Sequence, residues 1–240
     1  MTDERKDQLT AEADGLIEGR NAVIEALRTE ASIDKIFIQK GEVDKTLGHI
    51  ASKARAAGIV VVEADRRKLD GMSRTHAHQG VIALAAVREY VSVDDILADA
   101  AAKNESPLIV VCDEISDPHN LGAIIRSAEC VGAHGVNVPE RRAVGLTPAA
   151  VKASAGAIEH IKVARVVNMT RVIEMLKARN IWTYALTMDG TDYEKVNFKG
   201  GVALVVGSEG EGISHLVLEN CDQKVSLPMA GHLDSLNASV

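Results

Sequence analysis

The sequence predicts an α/β protein with a mostly parallel sheet in its second half and a smaller α/β domain before it. Two observations carry that reading. After position 107, short runs of continuously apolar residues alternate with longer stretches whose apolar residues recur at helical spacing. All five prolines lie at position 107 or later, so the composition changes near Ser106-Pro107, beyond the polar stretch 102–106. The 240 residues, 46% of them hydrophobic, suffice for one large or two ordinary cores and exclude a disordered or fibrous chain.

Taken in order, residues 1–14 carry two basic and five acidic side chains and read as a solvated, mobile tail. That start has no apolar signal region, and no apolar run reaches the about 18 residues of a membrane span. The chain is therefore expected in the cytoplasm. A first domain over 15–87 is predicted from a helix at Asn21–Arg28, a strand at Ile33–Gln39, a helix at Val43–Ala57 ended by Gly58, and strands at Ile59–Glu63 and Gly80–Ala86. Residues 88–107 form a linker with a short helix over Tyr90–Asn104, given one apolar side by Val91, Val93, Ile96 and Leu97.

The second domain, 108–240, is predicted to hold strands at Leu108–Cys112, Gly135–Val138, Ile161–Val166, Trp182–Leu186, Val202–Val206 and Lys224–Leu227. Helices are expected at Leu121–Val131, Thr147–Ala155, Thr170–Arg179 and Ile213–Glu219. Ligands of such sheets sit at the carboxyl ends of strands, so the loops after Val111, Val206 and Leu227 are where chemistry is to be sought.

Composition narrows that chemistry. The formal charge is −7, spread as −4 over 1–107 and −3 over 108–240, so no basic half marks a nucleic-acid partner. Only six aromatic side chains are present (Phe37, Tyr90, Trp182, Tyr184, Tyr193, Phe198), too few for base-stacking platforms. Cys112, Cys130 and Cys221 fit neither a disulfide framework nor a metal site. His76 and His78 lack a third ligand nearby and read as surface or core-edge residues, so no metal is expected.

The first of the three loops, Asp113 to Asn120, leads into a helix that Asn120 is suited to cap. Arg126 falls inside that helix among apolar neighbours, where it reads either as a snorkelling or ion-paired side chain or as a functional one. The second, Gly207-Ser-Glu-Gly-Glu-Gly212, places three glycines and the carboxylate of Glu209 after a strand. Its spacing is neither a Walker A loop nor GxGxxG, which leaves ATP and NAD unsupported. In the third, Leu227 to Ser239, Ser235 is suited to cap a helix that Leu236 begins. The sequence ends at Val240, so that helix is incomplete and a natural C-terminal helix is expected to be missing.

Three stretches, DPHNLGAIIRSAECVGA, LVVGSEGEGIS and LPMAGHLDSLNAS, resemble in order and separation the three motifs of the SpoU (TrmH-like) ribose 2′-O-methyltransferases. GRNAVIEAL and HQGVIALA extend the resemblance toward residue 19, most closely to the RlmB-type enzymes that methylate a guanosine ribose of 23S rRNA. The resemblance implies a SPOUT-type domain with a deep trefoil knot, a small L30e-like RNA-binding domain before it, and a homodimer. It also implies S-adenosylmethionine, with Gly207, Glu209, Gly210, Leu227, Met229, Ser235, Leu236 and Asn237 lining its site, and catalytic roles for Asn120, Arg126, Glu209 and Asn237.

The family's proposal makes the motif-one arginine the base. A guanidinium with pKa above about 12 is a poor base. The alternative expectation is that Arg126 stabilises the developing alkoxide or clamps a phosphate, oriented by Glu209 and Asn120. RNA contact needs local cations. Arg20 with Asn21, the Arg66-Arg67-Lys68 run, and Arg141-Arg142 after a strand end are the candidates, the last on the same sheet edge as Asn120. The expected partner is 23S rRNA or a large-subunit assembly intermediate. The alternatives are a tRNA ribose methyltransferase and a noncatalytic RNA-binding assembly factor.

Overall fold

The computed structural model describes residues 15–29, 31–41, 44–86, 88–232 and 235–240. The acidic stretch 1–14 lies outside the described residues, as do Val43, the expected start of a helix, and Val87, the expected end of the first domain. The chain divides into two units, one reaching Glu89 and including Leu146–Pro148, the other formed by Tyr90–Gly145 and Ala149–Val240.

The first unit is a four-stranded sheet of β1 (Leu16–Glu18), β2 (Ile33–Gln39), β3 (Val60–Ala64) and β4 (Val81–Ala85), in the order β1-β4-β2-β3. β2 and β3 run parallel and the other pairs antiparallel. Helices α1 (Arg20–Arg28) and α2 (Lys45–Ala56) cover one face, where Val23, Leu27, Leu47 and Ile50 meet Ile36, Ile38 and Val81. Asp44 caps α2 by accepting the amides of Thr46 and Leu47 at 3.0 Å each. On the other face Leu69 of α3 (Arg66–Met72) packs with Phe37 and Ile82. Neither β1 nor α3 is expected from the sequence. Three residues are too short to show alternation, and α3 buries one side chain, so its RRKLDGM reads as a charged run.

The second unit holds six parallel strands, β5 (Leu108–Cys112), β6 (Gly135–Pro139), β7 (Lys162–Val166), β8 (Ile181–Asp192), β9 (Gly201–Val206) and β10 (Gln223–Ser226), ordered β10-β8-β9-β5-β6-β7. From β5 the chain moves outward through β6 and β7, then crosses to build the other side with β8 and β9. The direction reverses between β5 and β9, and in such sheets ligands bind outside the carboxyl ends of the strands at that switch point. Helices α4 (Val93–Ala102), α5 (Pro118–Cys130), α6 (Pro148–Ala153), α7 (Met169–Ala178) and α8 (His215–Asn220) complete the set. Ile96 of α4, Ile173 and Leu176 of α7 and Val217 of α8 bury one face with Ile109, Val111, Ala203 and Val205. α5 packs on β5 and β6, burying Leu121, Ile124, Ile125 and Ala128.

Three local expectations are corrected. Asn120 is not the cap of α5: Asp117 accepts the His119 amide at 2.8 Å and Pro118 opens the helix, so Asn120 lies buried in the first turn. No helix begins at Leu236. Asn237 Oδ1 accepts the Ser239 amide at 2.9 Å and the Val240 amide bonds the Asn237 carbonyl at 2.9 Å, a turn that takes the donors a helix would need. β8 runs to Asp192 rather than Leu186, because it pairs with β10 twice. Lys224 faces Ala185, and the next residue, Val225, faces Thr191.

Candidate active site

Loops after β5, β6 and β9 meet at the carboxyl edge of the sheet. Cys112, the last residue of β5, is fully buried, and burial with the Asp113 charge pushes its thiol up to about 12, which removes it as a nucleophile. Asp113 is 3% exposed and braces two loops, since its amide bonds the Val206 carbonyl at 2.8 Å and its Oδ2 accepts the Ser214 amide at 2.7 Å. One carboxylate thereby fixes the loop after β9 against the loop after β5.

The glycine-rich loop is a closed turn. Ser208 and Gly212 exchange amide-to-carbonyl bonds of 3.0 and 2.9 Å, and Gly212 takes φ +69°. A β-carbon on Gly207 would lie 2.1 Å from the Gly212 carbonyl carbon, so the turn closes only with glycine there. Glu209 and Gly210 form the exposed tip. Asn237, in the loop after β10, donates its side-chain amide to the Glu209 carboxylate. The second and third motifs thus meet through residues 28 positions apart.

Of the four residues implied as catalytic, Glu209 and Asn237 touch each other, whereas Asn120 and Arg126 bond neither of them. Arg126 is exposed on α5 and makes no ion pair among the described residues, which sets aside the ion-paired reading. Asn120 lies six residues earlier, about 120° around the helix. Of the RNA candidates, Arg142 Nη1 lies 3.4 Å from Glu114 Oε1, and the Val144 amide bonds the Ile115 carbonyl at 2.9 Å. Those contacts tie the loops after β5 and β6. Arg141 is exposed and makes no ion pair among the described residues. In the first unit Arg20 pairs with Asp44 at 2.6 Å and donates to the Gln79 carbonyl at 3.0 Å, while Asn21 is exposed.

His78 is buried, accepting the Gly80 amide on Nδ1 at 3.0 Å and meeting Asp70 at 2.9 Å through Nε2. His76 is exposed, and no metal-holding group of three or more His, Cys, Asp or Glu occurs among the described residues. The sequence pattern does not single out Asp113, Glu114 or Ser214 as site residues. The signal that could have raised them is the acidic pair directly after a wholly apolar strand.

The residues around the Asn237–Glu209 bond fit an adenosyl sulfonium compound. Leu227, Met229 and Leu236, in the segment after β10 that carries Asn237, stay 47%, 40% and 49% exposed, apolar side chains of the kind that meet a purine or a thioether chain. The turn offers backbone groups without side-chain obstruction, and Glu209 offers a carboxylate.

The model of the SpoU rRNA methylase family matches residues 107–240, and the RNA 2′-O ribose methyltransferase substrate-binding model matches 16–91. The chain belongs to the SpoU rRNA methylase family. It is 46% identical over 223 residues to YacO of Bacillus subtilis, named as a TrmH family tRNA/rRNA methyltransferase, covering 92% of this chain and 89% of that one. A relative of the same family name from Staphylococcus aureus is 41% identical over 95% of this chain and 92% of its own. Among solved structures, the SpoU methyltransferase AviRb of Streptomyces viridochromogenes in complex with AdoMet is 25% identical with a TM-score of 0.57, covering 95% of this chain and 87% of that one. An AdoMet-bound rRNA methyltransferase of Sinorhizobium meliloti gives the same identity and TM-score over 98% and 85%. This SpoU family chain is an RNA methyltransferase that uses S-adenosylmethionine. Among its described residues no helix is long and apolar enough to cross a membrane.

Proposed function

We propose that the protein methylates the 2′-oxygen of a guanosine ribose in 23S rRNA, as a cytoplasmic homodimer. In this reading the second unit is threaded as a trefoil knot, and the first unit is an L30e-like domain that docks the rRNA by shape and phosphate contacts. The domains follow the order given by the sequence: tail 1–14, RNA-binding domain 15–87, linker 88–107, methyltransferase domain 108–240. The observation that carries the reading is the Asn237–Glu209 bond, which joins the second and third motifs at the edge of the sheet where the strand order reverses.

When bound, S-adenosylmethionine would supply a methyl group on a positively charged sulfur for the ribose oxygen, with neutral S-adenosylhomocysteine as the leaving group and the hydroxyl proton released to solvent. The chain's part is placement and charge. The glycine turn and the apolar Leu227, Met229 and Leu236 hold the cofactor, with Gly207, Gly210 and Ser235 offering small or polar surface. Asn237 fixes the Glu209 carboxylate. Arg126, free of any ion pair among the described residues, faces the charge that develops on the ribose oxygen or the phosphate beside it, and Asn120 supplies a side-chain amide. Holding the two reactants in line accounts for up to roughly 7–11 kcal/mol of barrier lowering in the best cases.

The test is transfer of labelled methyl from S-adenosylmethionine to unmodified 23S rRNA, with tRNA in parallel, followed by nucleoside mass spectrometry. Label in 2′-O-methylguanosine from 23S rRNA is the expected result. Label only in tRNA overturns the substrate and keeps the chemistry, an outcome for which the tRNA/rRNA wording of the relatives' names leaves room. Label in neither RNA overturns the reading in favour of a noncatalytic RNA-binding assembly factor.

A further inference from the structure

We infer that Glu114 determines RNA specificity, as a resident carboxylate that occupies the Arg142 guanidinium until a substrate phosphate replaces it. The inference rests on the proposed function and on the reading of Arg141 and Arg142, from the sequence, as RNA contacts. Glu114 directly follows the buried Asp113 at the end of β5, and Arg142 lies in the loop after β6. Both stand in the left-handed region, at φ +57° and +59°, where a β-carbon crowds the backbone. Their side chains are 30% and 82% exposed and 3.4 Å apart. An ion pair that open and that long returns less than two left-handed residues cost, so the pair does not account for its own geometry through stability.

What holds the loops in place lies beside the pair: the Val144 amide on the Ile115 carbonyl and the Ser214 amide on Asp113. Glu114 is thus pinned by its neighbours while its carboxylate reaches outward to Arg142. Arg141 stands next to it with no ion pair among the described residues. A phosphate diester offers a guanidinium two oxygens and full charge, a stronger partner than a single long contact to a carboxylate. An RNA whose phosphate reaches Arg142 only loosely does not displace Glu114 and gains nothing from the guanidinium. The carboxylate therefore withholds Arg142 from wrong RNA more than from right RNA, discrimination through competition for one guanidinium.

The experiment is equilibrium binding of a 23S rRNA transcript and of bulk tRNA to the full chain over a salt series, for wild type, Glu114→Gln, Arg142→Gln and the double variant. Thermal melting and S-adenosylmethionine binding are measured alongside. Glu114→Gln is expected to tighten both RNAs at about 0.1 M salt, tRNA by more, on the order of 3- to 10-fold, so that discrimination falls. Arg142→Gln is expected to weaken the transcript and lower the salt slope by about one phosphate contact. The double variant should match Arg142→Gln, since without the guanidinium there is nothing for Glu114 to occupy. Unchanged or weaker binding by Glu114→Gln overturns the inference, as does tightening of equal size in the Arg142→Gln background. If the wild type methylates the transcript while Glu114→Gln has no effect, this inference alone fails. If no variant binds the transcript above tRNA and the wild type methylates neither RNA, the proposed function fails with it.

Discussion

Arg126 illustrates how much can hang on a single side chain in this enzyme. It is exposed, has no ion pair among the described residues, and so contributes little to stability. Arg126→Lys should leave the melting temperature within error and lower kcat by about 100-fold, because an ammonium cannot reproduce the planar fork. Near-normal turnover of that variant would remove any role for the guanidinium. Glu18 has the opposite character. Burial raises its carboxyl, but bonds from the Ser73 hydroxyl, the Arg74 amide and Thr75 outweigh it and hold the group below the ordinary 4.5. A carboxyl depressed on folding contributes stability above about pH 4.5 that is lost as pH falls through its folded value. Glu18→Gln should therefore cost about 1–3 kcal/mol at neutral pH and flatten the acid limb of stability, read by urea melts from pH 6 to 3. Asn137 is fully buried in β6 with neither side-chain atom hydrogen-bonded. Asn137→Leu is expected to stabilise by about 1–3 kcal/mol; a lower melting temperature would refute that account.

α5 ties local packing to the site, because one helix carries both Asn120 and Arg126. Its Gly122 has a physical reason: an added β-carbon would lie 2.4 Å from the Ala150 carbonyl oxygen and 2.5 Å from the Ala153 β-carbon. Alanine there gains about 1 kcal/mol of helix propensity but incurs overpacking of about 1–3 kcal/mol or more against a backbone that cannot yield. Gly122→Ala should destabilise on balance and lower kcat as well, since a displaced α5 moves Arg126. A more stable variant of full activity would show that the contact is slack. The motif is legible in the sequence as a helix start, yet its apolar spacing puts that start three residues late. Asp117 and Asn120 are both competent caps, and Pro118 at the first helical position decides for Asp117. β8 shows the converse limit. The apolar run predicts a strand ending at Leu186, but Gly190 lies where a β-carbon would be 2.5 Å from the Val225 backbone, and the strand continues alongside β10. That neighbour arrives 35 residues later and leaves no trace in local periodicity.

Each unit has its own apolar core, around Ile36 and Ile50 in the first and around Ile109, Val111 and Ile173 in the second. Calorimetry should therefore resolve two transitions. S-Adenosylmethionine at 100 times its Kd should raise the second unit's transition by about 2.7 kcal/mol of stabilisation and leave the first unmoved. A shift of both would place cofactor contacts outside the loops assigned to it. By itself the sequence determined the alternation of strands and helices and the three motif loops that name the family. These are short-range properties, written in apolar spacing and in glycine, proline and asparagine at loop positions. Strand order, the Asp113 bond to Ser214 across 101 residues, the meeting of Asn237 with Glu209, and the Glu114–Arg142 pair were decided only by the tertiary structure. Which distant loops share a sheet edge depends on how whole elements bury their apolar faces together, and no local pattern encodes that choice.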